Sequence, residues 1–456
     1  MFLISVILLV AIFTSLSSAL LTYNTNIPAR PHLEPSPFNA RQALPISPPR
    51  TIGRYCHVQP GRRRARDDAP QIFRAFEDCN DGGTVVLDKS YLIGSPLDLT
   101  FLKHVDVVIT GEIAFDDSDV YYWADNSFKY AFQNQSVFWK LGGEDVNIYG
   151  DLGNELSVID GRGQAYWEEI QTNKTLLRPL LFAFDGMKGA TMSNLRMRNP
   201  PNWFNVIANS TDILISNMDL RAKSLNDVTI ANSDGWDTYR SDRVIIQDSF
   251  IDNTDDCVSF KPNSTDVVVQ NLVCIGSHGI SIGSLGQYAG ETDIVEDLYI
   301  YNISMTNASD GARIKVWPGV QTNFQHLLNG GGGLGHVRNV TYDLFGNFNN
   351  DRAITITQCY GQSNQTLCRE YPANLTIEYI TMKNMYGTTS VSLDPQAGTL
   401  VCSAPERCNN IRVKNVTVTV PSKEEPVYEC RNLDNSLLQI NCTAESDGGR
   451  YTSPAS

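Results

Sequence analysis

Asp212-Ile213-Leu214-Ile215-Ser216-Asn217 is a short apolar run closed at each end by a turn-forming residue. The pattern returns as Arg243-Val244-Ile245-Ile246-Gln247-Asp248, Asp266-Val267-Val268-Val269-Gln270-Asn271 and Asp297-Leu298-Tyr299-Ile300-Tyr301-Asn302. Asn374-Leu375-Thr376-Ile377 and Asn410-Ile411-Arg412-Val413-Lys414-Asn415 read as further copies. The runs opening at 213, 244, 267 and 298 lie 31, 23 and 31 residues apart, with no long helical periodicity between them. A strand that cannot bury its face alone must stack on its next copy, so a repeat of roughly this length predicts a parallel β-helix with loops of variable size. A β-sandwich also has many short strands, but it does not require the same local grammar in each.

Upstream, Gly82-Gly83-Thr84-Val85-Val86-Leu87 begins strand-like sequence. Before it, the apolar spacing of Asp68-Ala69-Pro70-Gln71-Ile72-Phe73-Arg74-Ala75-Phe76, with proline near the start, predicts an N-terminal helix over 70–79 that caps the open end of the sheet. A β-helix domain is expected over 68–442. Residues 20–67 read as a proline-rich, extended or disordered arm, with Pro28, Pro31, Pro35, Pro37, Pro45, Pro48 and Pro49. Arg62-Arg63-Arg64-Ala65-Arg66 reads as an exposed loop or a processing site, and 443–456 as a flexible tail. Leu3–Phe13 followed by Ser17-Ser18-Ala19 predicts a signal peptide over 1–19.

Ten cysteines and eleven Asn-x-Ser/Thr sequons behind such a segment predict a secreted, extracellular glycoprotein with disulfides. Cys257–Cys274 and Cys402–Cys408 are plausible pairs, although spacing leaves the connectivity open. No CxxC pair occurs and the six histidines are scattered, which speaks against a metal site. A net charge of −14 argues against nucleic acid and anionic membrane as partners.

Three polar clusters fall on the repeat: Asn232-Ser233-Asp234-Gly235-Trp236-Asp237, Asn253-Thr254-Asp255-Asp256-Cys257 and Gly276-Ser277-His278-Gly279. Asp234, Asp256 and His278 are 22 residues apart, one short coil, so they should stack on adjacent rungs roughly 4.8 Å apart. The alternative is a solvated acidic patch. Carboxylates so close cannot all ionise freely, and a protonated acid beside an ionised base is what glycoside hydrolysis needs. Arg313-Ile314-Lys315 puts two cations on one side of a strand, suited to gripping an acidic sugar on the following rung.

In these four clusters the sequence closely resembles glycoside hydrolase family 28, the polygalacturonases. Their motifs Asn-Thr-Asp, Asp-Asp, Gly-His-Gly and Arg-Ile-Lys stand here, in order, as Asn232-Ser233-Asp234, Asp255-Asp256, Ser277-His278-Gly279 and Arg313-Ile314-Lys315. The resemblance spans about 68–442 and implies a right-handed parallel β-helix that hydrolyses α-1,4-galacturonosidic bonds of pectic polysaccharide with inversion, as a monomer and without cofactor or metal. It casts Asp255 as general acid, Asp234 and Asp256 as the water-activating pair, His278 as support for the acid, Arg313 and Lys315 as substrate ligands and Asn232 as a positioning group. Tyr360, in Gln358-Cys359-Tyr360, resembles a sugar-contacting tyrosine. Ser233 and Ser277 depart from the family pattern, and Ser277 is expected to alter the pocket near His278. The stretches 277–286 and 312–319 resemble the exo-acting members, in which insertions close the cleft; 320–335, with Gly330–Gly333, is a candidate wall. Rival readings are an endo-acting enzyme, a xylogalacturonan or rhamnogalacturonan hydrolase of the same family, a pectate lyase and a non-catalytic wall-binding protein.

Overall fold

The computed structural model describes residues 27–34, 36–38, 47–61, 67–320, 330–362 and 365–444. The expected leader, the basic stretch 62–66 and most of the tail lie outside them.

Among the described residues, 26 strands join one parallel sheet system wound as a right-handed β-helix. One face stacks Phe182, Asn205, Trp236, Val258, Ile280, Ala312, Ile354, Gly398 and Tyr428 in register. A second stacks Ala190, Ile213, Val244, Val267, Leu298, Val340, Ile380 and Ile411. The interval read from sequence is thus the true coil. Its bounding residues form ladders of their own. Asp212, Arg243, Asp266, Asp297, Asn339, Tyr379 and Asn410 open the second face, and each has φ between +50° and +60°. Asn and Asp tolerate this left-handed conformation best, which is why they punctuate the repeat. One copy was misplaced by sequence: the rung equivalent to Ile411 is Ile380, preceded by Tyr379, not the run at Asn374.

Alternate strand residues fill the interior, and a single continuous core runs the length of the helix. The disulfide Cys257–Cys274 lies within it. Cys56–Cys79, Cys359–Cys368, Cys402–Cys408 and Cys430–Cys442 complete a set in which each cysteine pairs with its neighbour along the chain. The helix Ala69–Cys79 covers the N-terminal end with buried Ile72, Ala75 and Phe76, as expected from its apolar spacing.

The proline-rich stretch departs from a free arm. Tyr55–His57 already pairs with Thr84–Val86, so the sheet begins inside the region assigned to the arm. Arg30 and Arg50 both reach Asp106, at 3.1 and 2.8 Å. Farther along the helix, Leu33 packs on Leu214, Ile245 and Val268, Ser36 donates to Gln270, and Phe38 stacks on Tyr299 at 4.8 Å. The described arm is extended and docked along the outer side of the second face.

Candidate active site

The register of the first face carries Asp234, Asp256 and His278 to adjacent coils just before Trp236, Val258 and Ile280. Asn253 builds the turn that carries the paired aspartates: its Nδ2 donates to the carbonyls of Ser233, Asp255 and Asp256. Ser277 Oγ donates to Asn253 Oδ1 at 2.5 Å, so the serine at this departure from the family motif braces the turn. Ser233 retains the hydroxyl's role, bonding Thr254 N and Oγ1 at 2.9 Å each. Gly279 has φ +122°, and a Cβ there would meet Gly311 O at 2.9 Å, so this corner accepts only glycine.

Asp234, Asp255 and Asp256 are all buried and bring one carboxylate oxygen each to within 4.8 Å of the others. This is closer than the ~6.5–9.5 Å usual between two carboxyls of inverting sites; here three share the space. Each has different company. Asp256 accepts from Lys315 Nζ and Ser281 Oγ, both at 2.6 Å. Asp255 Oδ1 lies 3.2 Å from His278 Nδ1. Asp234 has Lys261 Nζ at 3.5 Å, and the same ammonium is 3.1 Å from Asp237 Oδ1.

These contacts sort the protons. Burial raises Asp234, and Asp255 and Asp237 raise it further; Lys261 opposes them, and the carboxyl stays well above the usual range. Burial pushes Asp237 up to about 7 against the pull of Lys261. Burial also works to raise Asp255, but the adjacent His278, Lys315 and the Asp256 N–H together outweigh it and hold the carboxyl below the usual range. For Asp256 burial is outweighed by Lys315, with help from Arg313 and Lys261. Burial lowers the His278 imidazole, yet Asp255 beside it wins and the ring holds its proton more tightly than usual. The cluster thus has an ionised pair of neighbours, Asp255 and Asp256, a proton-holding Asp234 and a proton-holding His278. Three carboxylates suit a hard cation, but the ammonium groups of Lys315 and Lys261 already supply the positive charge such a cluster draws in.

Arg313 and Lys315 are buried on the coil after Ser281 and Gly283, their register partners. Lys315 is turned onto Asp256 rather than left for a ligand alone. Arg313 lies 3.8 Å from Asp256 and donates to His278 O. Both face the Tyr360 ring, at 5.9 and 5.5 Å, which stands edge-on to Trp317. Asn232 Oδ1 accepts from Arg178 at 2.6 Å, and Arg178 in turn feels the charges of Asp255 and Asp234. Sequence reasoning missed Arg178, Ser281, Lys261 and Trp203, whose ring lies 4.7 Å from the Lys261 ammonium.

On the N-terminal side of the acids the outer surface is closed. Val137, Leu180, Ala183, Trp203, Val206 and Ala208 form an apolar cluster outside the barrel, covered by Phe128, Tyr130 and Phe132. The covering segment is a small sheet of Phe128–Lys129, Ser136–Val137 and Pro179–Leu180. Phe132 stacks on Tyr239 at 4.5 Å, and Gln133 bonds Tyr288 Oη and Gln287 Oε1 across the cleft edge. Of the wall suspected at 320–335, Gly331 N donates to Gln287 O and Leu334 N to Glu291 O, while 321–329 lie outside the described residues.

The sequence profile of glycosyl hydrolases family 28 matches residues 98–442. Exopolygalacturonase X-1 of Emericella nidulans is 52% identical over 403 residues, 88% of this chain and 91% of the relative. Exopolygalacturonase A of Aspergillus niger is 49% identical over 439 residues, 95% and 99% of the two chains. The crystal structure of endo-xylogalacturonan hydrolase from Aspergillus tubingensis superposes with a TM-score of 0.75 at 32% identity, over 86% of this chain and all of that one. With a matching profile over most of its length, relatives near half identity and the parallel β-helix of a solved relative, the chain belongs to family 28 of the glycosyl hydrolases.

Proposed function

We propose that the chain is a secreted, monomeric hydrolase that releases galacturonic acid from the end of polygalacturonate. The observation that carries the reading is the convergence of three buried carboxylates and three cations, Arg313, Lys315 and Lys261, on one point of an otherwise acidic protein. The cations match an anionic sugar, and the acids match its glycosidic bond.

In this reading the His278–Asp255 pair is the proton source. In the free site that proton sits on the imidazole, which is at odds with Asp255 as a ready acid. Substrate that excludes water from this pair favours its neutral form, imidazole beside protonated carboxyl, so the proton moves across the 3.2 Å contact and on to the leaving oxygen. Asp256, ionised by Lys315, and Asp234, once it has released its proton, take the proton of the attacking water. Arg313, Lys315 and Tyr360 hold the sugar beyond the acids, while Asn232 and Arg178 fix the turn in front of Asp234.

The apolar cap supports action at a chain end. It covers Val206 and Ala208, one coil before the acids. Through Phe132 on Tyr239 it reaches the coil that carries Asp234, so the surface on that side of the acids is covered. The relatives named exopolygalacturonase favour the same conclusion. The solved relative named for endo action on xylogalacturonan marks the second reading. Early products from polygalacturonate decide: galacturonic acid alone is expected, and a ladder of oligomers refutes the chain-end assignment. An unsaturated product absorbing in the ultraviolet would replace hydrolysis by elimination.

A further inference from the structure

We propose that Lys261 is a positioning residue of the reaction, the countercharge that lets Asp234 serve as a water-activating carboxylate. The inference rests on the reading of Asp234 given above. Lys261 follows the strand Val258–Phe260 and is 4% exposed. Its ammonium lies 3.5 Å from Asp234, 3.1 Å from Asp237 and 4.7 Å from the Trp203 ring. It therefore sits at the blind end of the cleft, between the acids and the cap, where no catalytic motif of the sequence places a charge.

The groups around Asp234 define the need. Asp237 on the strand Trp236–Tyr239 and Asp255 and Asp256 on the next coil all add negative potential. Arg178, before the strand Pro179–Leu180, supplies a longer-range positive charge but spends its hydrogen bonds on Pro201 O, Ala231 O and Asn232. Lys315, Arg313 and His278 are committed to Asp256 and Asp255. Lys261 is the ammonium in contact with Asp234, and it divides its charge between Asp234 and Asp237. A carboxyl that must lose its proton to take one from water works only above its own ionisation, so Lys261 sets the lowest pH at which the site turns over.

Three variants test this with kcat on saturating polygalacturonate across acidic pH. Lys261→Met should move the acidic limb upward by about one pH unit or more, the effect expected of an opposite charge within ~4–6 Å. Lys261→Arg should restore the wild-type limb. Asp237→Asn leaves the whole ammonium to Asp234 and should move the limb downward. If Lys261→Met, which buries unpaired acids, fails to fold, Asp237→Asn carries the test alone. A limb unmoved in folded Lys261→Met, or unmoved in Asp237→Asn, overturns the assignment. Wild-type protein that releases no galacturonic acid would instead overturn the proposed function, and so the two failures are told apart.

Discussion

Replacing Lys315 with methionine separates two jobs that the structure gives one side chain. The ammonium is 2.6 Å from Asp256 Oδ2 and both groups are buried. Methionine keeps the length and removes the charge. Asp256 then retains Ser281 Oγ at 2.6 Å and Arg313 at 3.8 Å, but it still faces Asp255 across the cluster. Losing an opposite charge at this range raises a carboxyl by about 1–3 units. Asp256, now held below the usual carboxylate range, would then sit above it. Below its new value the ionised fraction, and kcat with it, would fall by up to about ten- to a thousandfold. The loss should therefore shrink as pH rises toward 7. If Lys315 served only to grip the uronate, the damage would fall on KM and would not depend on pH in this way. A steady-state series from pH 4 to 7, with circular dichroism to confirm folding, distinguishes the cases. A pH-independent loss in kcat refutes the argument that Lys315 holds Asp256 ionised.

Asp255→Asn should lower kcat by about 10²–10⁴, the usual worth of a general acid, with folding unchanged; unchanged pectin breakdown by the purified variant would remove Asp255 from the mechanism. Proton NMR of the first product should show an inverted anomer; retention would mean that one of the closely packed carboxylates attacks the sugar directly. Arg50→Ala should cost about 1.5–3 kcal/mol, because it strips a charged partner from buried Asp106 while Arg30 and Asn147 remain on it, and comparison of the thermal unfolding of the two proteins reads this. The contacts of Arg50 with Asp145 also predict acid sensitivity. Burial raises Asp145, but bonds from Arg50, Ser47 and His104 outweigh it and bring it down to about 2. A carboxyl lowered on folding adds stability that is complete above its unfolded value near 3.9 and is lost as pH falls through 2. Arm docking followed by Phe38 accessibility should weaken in that window and not above it.

The β-helix was legible because its coils repeat a backbone requirement. Residues in the left-handed conformation are chemically conspicuous when they are Asp or Asn, and the ladder at 212, 266, 297 and 410 shows them. Where the same position is filled by Tyr379, the signal vanished and the coil was misread. The acids were legible because they sit in short motifs at one coil's spacing. Lys261 was not, since its partners Asp234 and Asp237 lie 27 and 24 residues back in the chain. Carrying the outward alternation of Ser259 one step further would have pointed to it. The cap escaped detection because its apolar residues, among them Val137, Leu180 and Val206, come from separate segments that look like ordinary core. Proline content revealed that the arm is extended, but not what it lies against; Arg30 meets its partner 76 residues away.

That arm alters how such a molecule comes apart. A stack whose members touch only their nearest neighbours can open anywhere, each junction failing on its own account. Contacts running from Asp106 to Tyr299 bind early and late members into one event, like a stitch drawn through many folded pages. Tension applied to the two termini should then be met first at the stitch, and release of the interior should follow abruptly rather than page by page.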